Sequence, residues 1–334
     1  MWKWPALLVF AVTSCGSELD ATGPTASPEP AAQGAQRLAP GDLKQDGQVT
    51  FSPGFSPDGR TIFFTQAACQ RVWQCPQILK RAERTPTGWT KPAAVSLPQD
   101  GRADWPSVSP DGTTLLFSWA PDRARHRGRN VETDFDLFAL DLTDPSARPV
   151  AIDEPDINRI RGGKVRRLRF VNNETAPVLT ENGDLYFWSE RLDGPGLRDV
   201  YRARPDGNGS FTRPQALPQP INGPGEDDGA WLTADGRVML LNKRVVGETA
   251  REDLYLSVLR DGAWSRPVPL GPEVNTSDAE IAGRITPDGK TLVFTSDRPV
   301  EGQPKGIYQV WTIPVAQVPL VAEALQAVRE QGSD

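Results

Sequence analysis

Three carboxylates stand at similar distances ahead of near-identical turns. Asp104 and Asp228 precede Asp111 and Asp235 by seven residues, and Glu280 precedes Asp288 by eight. Carboxylates gathered at one point can cleave glycosides by acid–base chemistry or hold a cation. The more ordinary reading is that each bonds the loop entering its strand. The chain has one histidine, His126, inside Arg123-Ala124-Arg125-His126-Arg127-Gly128-Arg129. Neighbouring positive charge lowers a histidine pKa, but a general base also needs a positioned nucleophile. His126 therefore reads as an exposed loop residue. No Gly-rich phosphate loop, His-Glu-x-x-His or Gly-x-Ser-x-Gly occurs. No catalytic residue, cofactor or metal site is assigned. Asp206-Gly207-Asn208-Gly209 is short of a calcium loop because it lacks the later bidentate Glu, and reads as a turn.

Cationic residues form a second constellation. The chain is mildly acidic, with 37 basic against 43 acidic residues and a net charge of −6. That balance argues against general nucleic-acid binding. Yet Arg123, Arg125, Arg127, Arg129, Arg159, Arg161, Lys164, Arg166, Arg167 and Arg169 fall in two segments flanking one stretch of strand pattern. Arginine forks onto carboxylate and phosphate, and charge of one sign steers its opposite. The segments suit an anionic envelope glycan, peptidoglycan carboxylates or an acidic protein. Internal pairing with Glu132, Asp134, Asp153, Glu154 and Asp156 is the competing expectation.

A repeat must position these groups. Ser56-Pro57-Asp58-Gly59, Ser109-Pro110-Asp111-Gly112, Thr180-Glu181-Asn182-Gly183, Thr233-Ala234-Asp235-Gly236 and Thr286-Pro287-Asp288-Gly289 are copies of one turn. Their Asp or Asn positions are separated by 53, 71, 53 and 53 residues. A fixed period of this size marks a repeat architecture. Gly after Asp or Asn supplies the positive φ of a tight hairpin. The strands after the turns bury Ile62/Phe64, Leu115/Phe117, Leu185/Phe187, Val238/Leu240 and Leu292/Phe294 on one face. A third strand follows each, then a short fourth strand carrying a proline (Pro92, Pro214 or Pro267) where it is plain, as suits a sheet edge. The pattern predicts an all-β fold, a five-bladed β-propeller of four-stranded antiparallel blades over residues 36–318. Gln36-Arg37-Leu38-Ala39-Pro40 is expected to close the ring as the outer strand of the last blade. Residues 319–334 should form a short helix and tail, with Leu320, Val321, Ala324, Leu325 and Val328 as its apolar stripe. The tryptophans Trp73, Trp105, Trp119, Trp188 and Trp231 read mainly as blade packing, with sugar stacking as the minor alternative.

The Ser-Pro-Asp-Gly-x-x-Leu-x-Phe core followed by Asp-Leu-Tyr resembles the WD40-like propeller repeat of the TolB type, common in bacterial envelope proteins. The likeness specifies the blade, not an activity. Residues 1–15 resemble a lipoprotein signal, in which Cys15 would be acylated and become the first mature residue. Residues 16–35, rich in Pro, Ala, Ser and Thr, read as a flexible tether. The implied location is the bacterial envelope, with the outer membrane favoured and the lipid as the only membrane contact. In that oxidising setting Cys69 and Cys75 are expected to form a disulfide. The leading expectation is a monomeric, non-enzymatic propeller that binds an envelope partner through its loop face. The alternative is a carbohydrate-active hydrolase or lyase built on central carboxylates.

Overall fold

A computed structural model describes residues 34–331, apart from 39–42, 44–47, 71, 73–74, 99–100, 121–124, 127–128, 131–134, 153–155, 159–172, 245–250 and 303–305. Cys15, the signal, residues 16–33 of the expected tether and most of the basic segments lie outside the described residues, whereas the tether's last two residues are docked: Gly34 N–H donates to Gln317 Oε1 and Ala35 packs on the core. Strand β1 (Gln36–Arg37) precedes β2 (Val49–Phe55), β3 (Thr61–Ala67), β4 (Gln77–Thr85), β5 (Gly88–Trp89) and β6 (Ala93–Ala94). The second group is β7 (Arg102–Val108), β8 (Thr114–Ala120), β9 (Arg125–His126), β10 (Arg129–Asn130), β11 (Asp136–Asp141) and β12 (Val150–Ala151). The third is β13 (Glu174–Leu179), β14 (Leu185–Ser189), β15 (Asp199–Ala203) and β16 (Gln215–Ala216). The fourth is β17 (Glu226–Leu232), β18 (Val238–Arg244), β19 (Asp253–Arg260), β20 (Ala263–Trp264) and β21 (Val268–Pro269). Last come β22 (Glu280–Ile285), β23 (Thr291–Ser296), β24 (Gln309–Pro314) and one helix, α1 (Pro319–Gln331).

Each group is an antiparallel meander, with the repeated turn joining its first two strands. In the turn, Ser56 Oγ donates to Asp58 Oδ1 and accepts from Thr61 N–H. The Asp58 carboxylate takes the Arg60 amide, and the other copies repeat the scheme. These hydrogen bonds hold the Asp58, Asp111 and Asp288 carboxyls below their usual pKa, although for partly buried Asp111 burial opposes the shift. Proline splits the expected fourth strand. Pro92 separates β5 from β6, and Pro267 separates β20 from β21, because proline cannot donate to the ladder.

The second strands are buried on both faces rather than one. Ile62 and Phe64 are fully buried, but so is Phe63, and Leu116, Tyr186, Met239 and Val293 match it. The reason is lateral packing. Phe63 and Leu79 meet Leu115 and Phe117; Leu116 and Leu137 meet Leu185 and Phe187; Tyr186 and Val200 meet Met239 and Leu241; Leu240 and Leu254 meet Leu292 and Phe294. First strands touch in the order β2, β7, β13, β17, β22, and β22 touches β2. Strand β1 pairs with β24, Gln36 opposite Thr312 and Arg37 opposite Trp311. The result is a propeller-like, all-β body with one short helix. Helix α1 buries Val321, Ala324 and Val328 against the last two groups. Cys69 and Cys75 form a disulfide with an S–S distance of 2.12 Å. Trp73, between them, lies outside the described residues. No described helix is long and apolar enough to cross a membrane.

Candidate functional site

The first strands surround a central channel and share one irregularity. Ser52, Trp105, Ala176, Gly229 and Ala282 hold φ of 50°, 51°, 57°, 56° and 55°. They are spaced by the same 53, 71, 53 and 53 residues as the turns. Each lies where the strand register shifts, so the chain bulges inward at equivalent points. A polar side chain on the preceding group's second strand caps three of the bulge amides. Thr295 Oγ1 accepts from Ser52 N–H at 3.1 Å, Ser118 Oγ from Ala176 N–H at 3.0 Å and Asn242 Oδ1 from Ala282 N–H at 3.0 Å. Thr65 and Ser189 complete this set of repeat positions.

Asp104 and Asp228 each sit one residue before their bulge. Asp104 accepts from Thr65 Oγ1 at 3.0 Å and from Trp105 N–H at 2.6 Å. Burial pushes its carboxyl up to about 6 against the pull of those bonds. Asp228 accepts from Asn242 Nδ2 at 3.0 Å and from Arg198 Nη1 at 2.9 Å. Glu280 does not join them. It sits two residues before its bulge, and side chains alternate along a strand. It turns instead to the Thr276 amide and hydroxyl, Ser296 Oγ and Arg298 Nη2, at 2.7, 2.8, 2.7 and 3.1 Å. Glu280 thus anchors the loop entering its own sheet, and the structure does not bring the three carboxylates to one point.

A different cluster forms at the channel end away from the repeated turns. Arg198, just before β15, is its centre. Nη1 lies 2.9 Å from Asp228, 3.6 Å from Glu226 and 3.9 Å from Glu252, while Nε lies 3.2 Å from Glu190. The guanidinium also covers the Trp188 ring, 5.0 Å from its centroid. Burial disfavours its charge, but Asp228, Glu226 and Glu190 outweigh that and hold its pKa above the usual arginine value. Burial and then Asp228 push Glu252 up to about 7. Burial also raises Glu190, against the attraction of Arg198. Glu226, Asp228 and Glu252 bring carboxylate oxygens within 4.8 Å of one another, a spacing able to hold a cation. Arg198 already supplies positive charge there, so a metal would have to compete with it. Sequence reading missed Arg198, Glu190, Glu226 and Glu252, because they come from strand ends in two groups with no shared motif.

Of Arg125, His126 and Arg129, only the β9–β10 backbone pairing is described. Arg123, Arg127, Arg159, Arg161, Lys164, Arg166, Arg167 and Arg169 lie outside the described residues. The strand ends that their segments join lie on the same side of the sheets as the Arg198 cluster. Among the tryptophans, Trp105, Trp119 and Trp188 are buried, which removes them as exposed sugar platforms.

The turn-side end of the channel opens into a cavity of about 490 Å³. Phe55, Val108, Leu179, Leu232 and Ile285 line it from the five equivalent positions at the ends of the first strands. Leu325 and Val328 of α1 form one wall, and Arg284 lies within.

Neither a family model nor a curated protein sequence matches the chain. Among solved structures it is similar to the α-L-arabinofuranosidase of Lactobacillus brevis, at 12% identity and TM-score 0.50, covering 83% of this chain and 94% of that one. It is similar to Zg3597, a family 117 glycoside hydrolase of Zobellia galactanivorans, at 14% identity and TM-score 0.49, covering 84% and 89%. For TolB from Acinetobacter baumannii the values are 19%, 0.44, 79% and 54%, so the chain spans about half of that protein's length. It spans 36% of a puromycin hydrolase at 17% identity and TM-score 0.42. At these identities the likeness is one of fold, and it agrees with the strand pairing: the chain is of the propeller-like, all-β class.

Proposed function

We propose that the chain is a five-bladed propeller that binds an anionic envelope polymer or an acidic protein through its loop face, without catalysing a reaction. The circular order of first-strand contacts and the β1–β24 pairing support the blade count. One observation carries the non-enzymatic reading: each of the three carboxylates considered for catalysis is engaged by a structural group. Thr65 and Trp105 hold Asp104, Arg198 and Asn242 hold Asp228, and Arg298 and Ser296 hold Glu280. An acid–base pair needs a carboxyl within reach of a substrate proton. The basic segments supply the recognition, and acylated Cys15 the anchor. Binding of the purified protein to peptidoglycan sacculi tests this. Retention should fall steeply between low and physiological salt, and in Arg166→Glu/Arg167→Glu it should fall at least tenfold. Retention by that double variant equal to the parent's, or salt-insensitive retention by the parent, would sink the reading.

One observation favours catalysis instead. Glu252, held near neutrality beside Asp228, has the pKa of a general acid. Hydrolysis of an aryl glycoside, abolished in both Glu252→Gln and Asp228→Asn, would replace the binding reading.

A further inference from the structure

We propose that the turn-side cavity binds a small organic carboxylate, with Arg284 gripping the carboxylate and the strand ends enclosing the apolar body. This site is at the opposite end of the channel from the loop face, so it stands or falls independently of the reading above.

Arg284 is 3% exposed, and its Nε is buried without a hydrogen-bond partner. No hydrogen bond or ion pair of its guanidinium occurs among the described residues. A buried charge left in that state costs stability, so fold maintenance does not explain it. The repeat makes the same point. The equivalent positions hold Gly54, Ser107, Val178 and Trp231, so four groups build this layer without a cation. Asp104 is the charged group that favours the guanidinium, and it does so without a hydrogen bond; burial meanwhile pulls Arg284 down to about 10. At neutral pH the guanidinium remains charged in a cavity of mixed apolar and polar lining that opens at the turns.

The surroundings select the ligand. A guanidinium offers a planar fork that matches a carboxylate in two bonds. The volume falls in the range of small-molecule sites, and Leu179, Leu232, Ile285, Leu325 and Val328 provide apolar walls. Glu181, Asp235 and Arg329 also line the cavity, so its carboxylates and guanidiniums offset one another. The apolar wall residues therefore do the selecting: they suit a singly charged carboxylate with a hydrocarbon body and offer nothing to a compact, multiply charged phosphate.

Octanoate is the probe, with octanol and inorganic phosphate as comparisons, read by calorimetry and thermal melting of the whole chain. Octanoate should bind saturably and raise the Tm, and octanol and phosphate should not. Arg284→Met should keep or raise the ligand-free Tm and weaken octanoate binding at least tenfold. Asp104→Asn, which removes the competing carboxylate, should bind octanoate more tightly; this variant decides the matter if Arg284→Met fails to fold. Three results would each overturn the proposal: no octanoate binding, equal binding by Arg284→Met, or phosphate binding as strong as octanoate. Weaker or unchanged octanoate binding in Asp104→Asn would overturn it too.

Discussion

Arg191 and Arg198 lie in the same connection, between β14 and β15, and hold their guanidinium groups under different conditions. Arg191 is 2% exposed and ion-paired to fully buried Glu174 at 3.1 Å, with its guanidinium over the rings of Phe187 and Tyr201. Breaking a buried pair strands a charge. Arg191→Met should therefore destabilise by about 3–5 kcal/mol in chemical denaturation. Arg198 instead holds several carboxylates together and pulls against the rise of Glu252. Burial is what lifts Glu252 to about 7 and Asp104, outside that cluster, to about 6, and the result is a pH effect. The folded state then keeps protons that the unfolded chain has released. Their contribution to stability is full below about pH 4 and is lost as pH rises through 6 to 7. Glu252→Gln should remove its share of that slope, leaving the variant more stable than the parent by about 1–3 kcal/mol at pH 8. Equal pH slopes for the two proteins would contradict the assignment.

Among the elements, the bulge in the first strand does the most positioning. It aims Trp105 from the second group across the channel toward Gly229 of the fourth. A Cβ on Gly229 would meet the Asn242 amide and the Trp105 ring, and φ is already positive there. Gly229→Ala should cost roughly 2 kcal/mol or more, measured by urea unfolding, whereas alanine already occupies the equivalent positions 176 and 282. The repeat showed where first strands begin but not which way their side chains point. Asp104 and Asp228 differ from Glu280 by one residue of register, and one residue reverses the face. A seven-against-eight count to the turn already contained that distinction. The set Thr65, Ser118, Ser189, Asn242 and Thr295, three of which cap bulge amides, was also present at the repeat spacing, hidden because its members differ in chemical type. The Arg198 cluster had no such trace, since it depends on how two neighbouring sheets stand together.

For the whole molecule, the repeat period and turn chemistry were enough to predict an all-β body of meanders, and the pairing agrees. Burial of the second strands on both faces was not foreseen, because alternation reports one sheet at a time and lateral neighbours cover the other face. Closure depends on few residues. Beyond the two β1 pairs, Leu38 N–H donates to Val310 O at 2.9 Å, and Leu38 and Leu43 pack with Ile62 and Phe64. Deleting residues 36–44 should lower the melting temperature by roughly ten degrees or more, and an unchanged melt would show the ring holds without that seam.

Gln36 lies opposite Thr312, 276 residues later. During translation the first strand emerges long before its mate exists. Each meander can form as it leaves the ribosome, but the edge of β24 is made last, and the opening strand must wait unpaired until then. Truncated nascent chains ending before residue 309 should accordingly be sensitive to protease around residues 34–38, and full-length chains should be protected there.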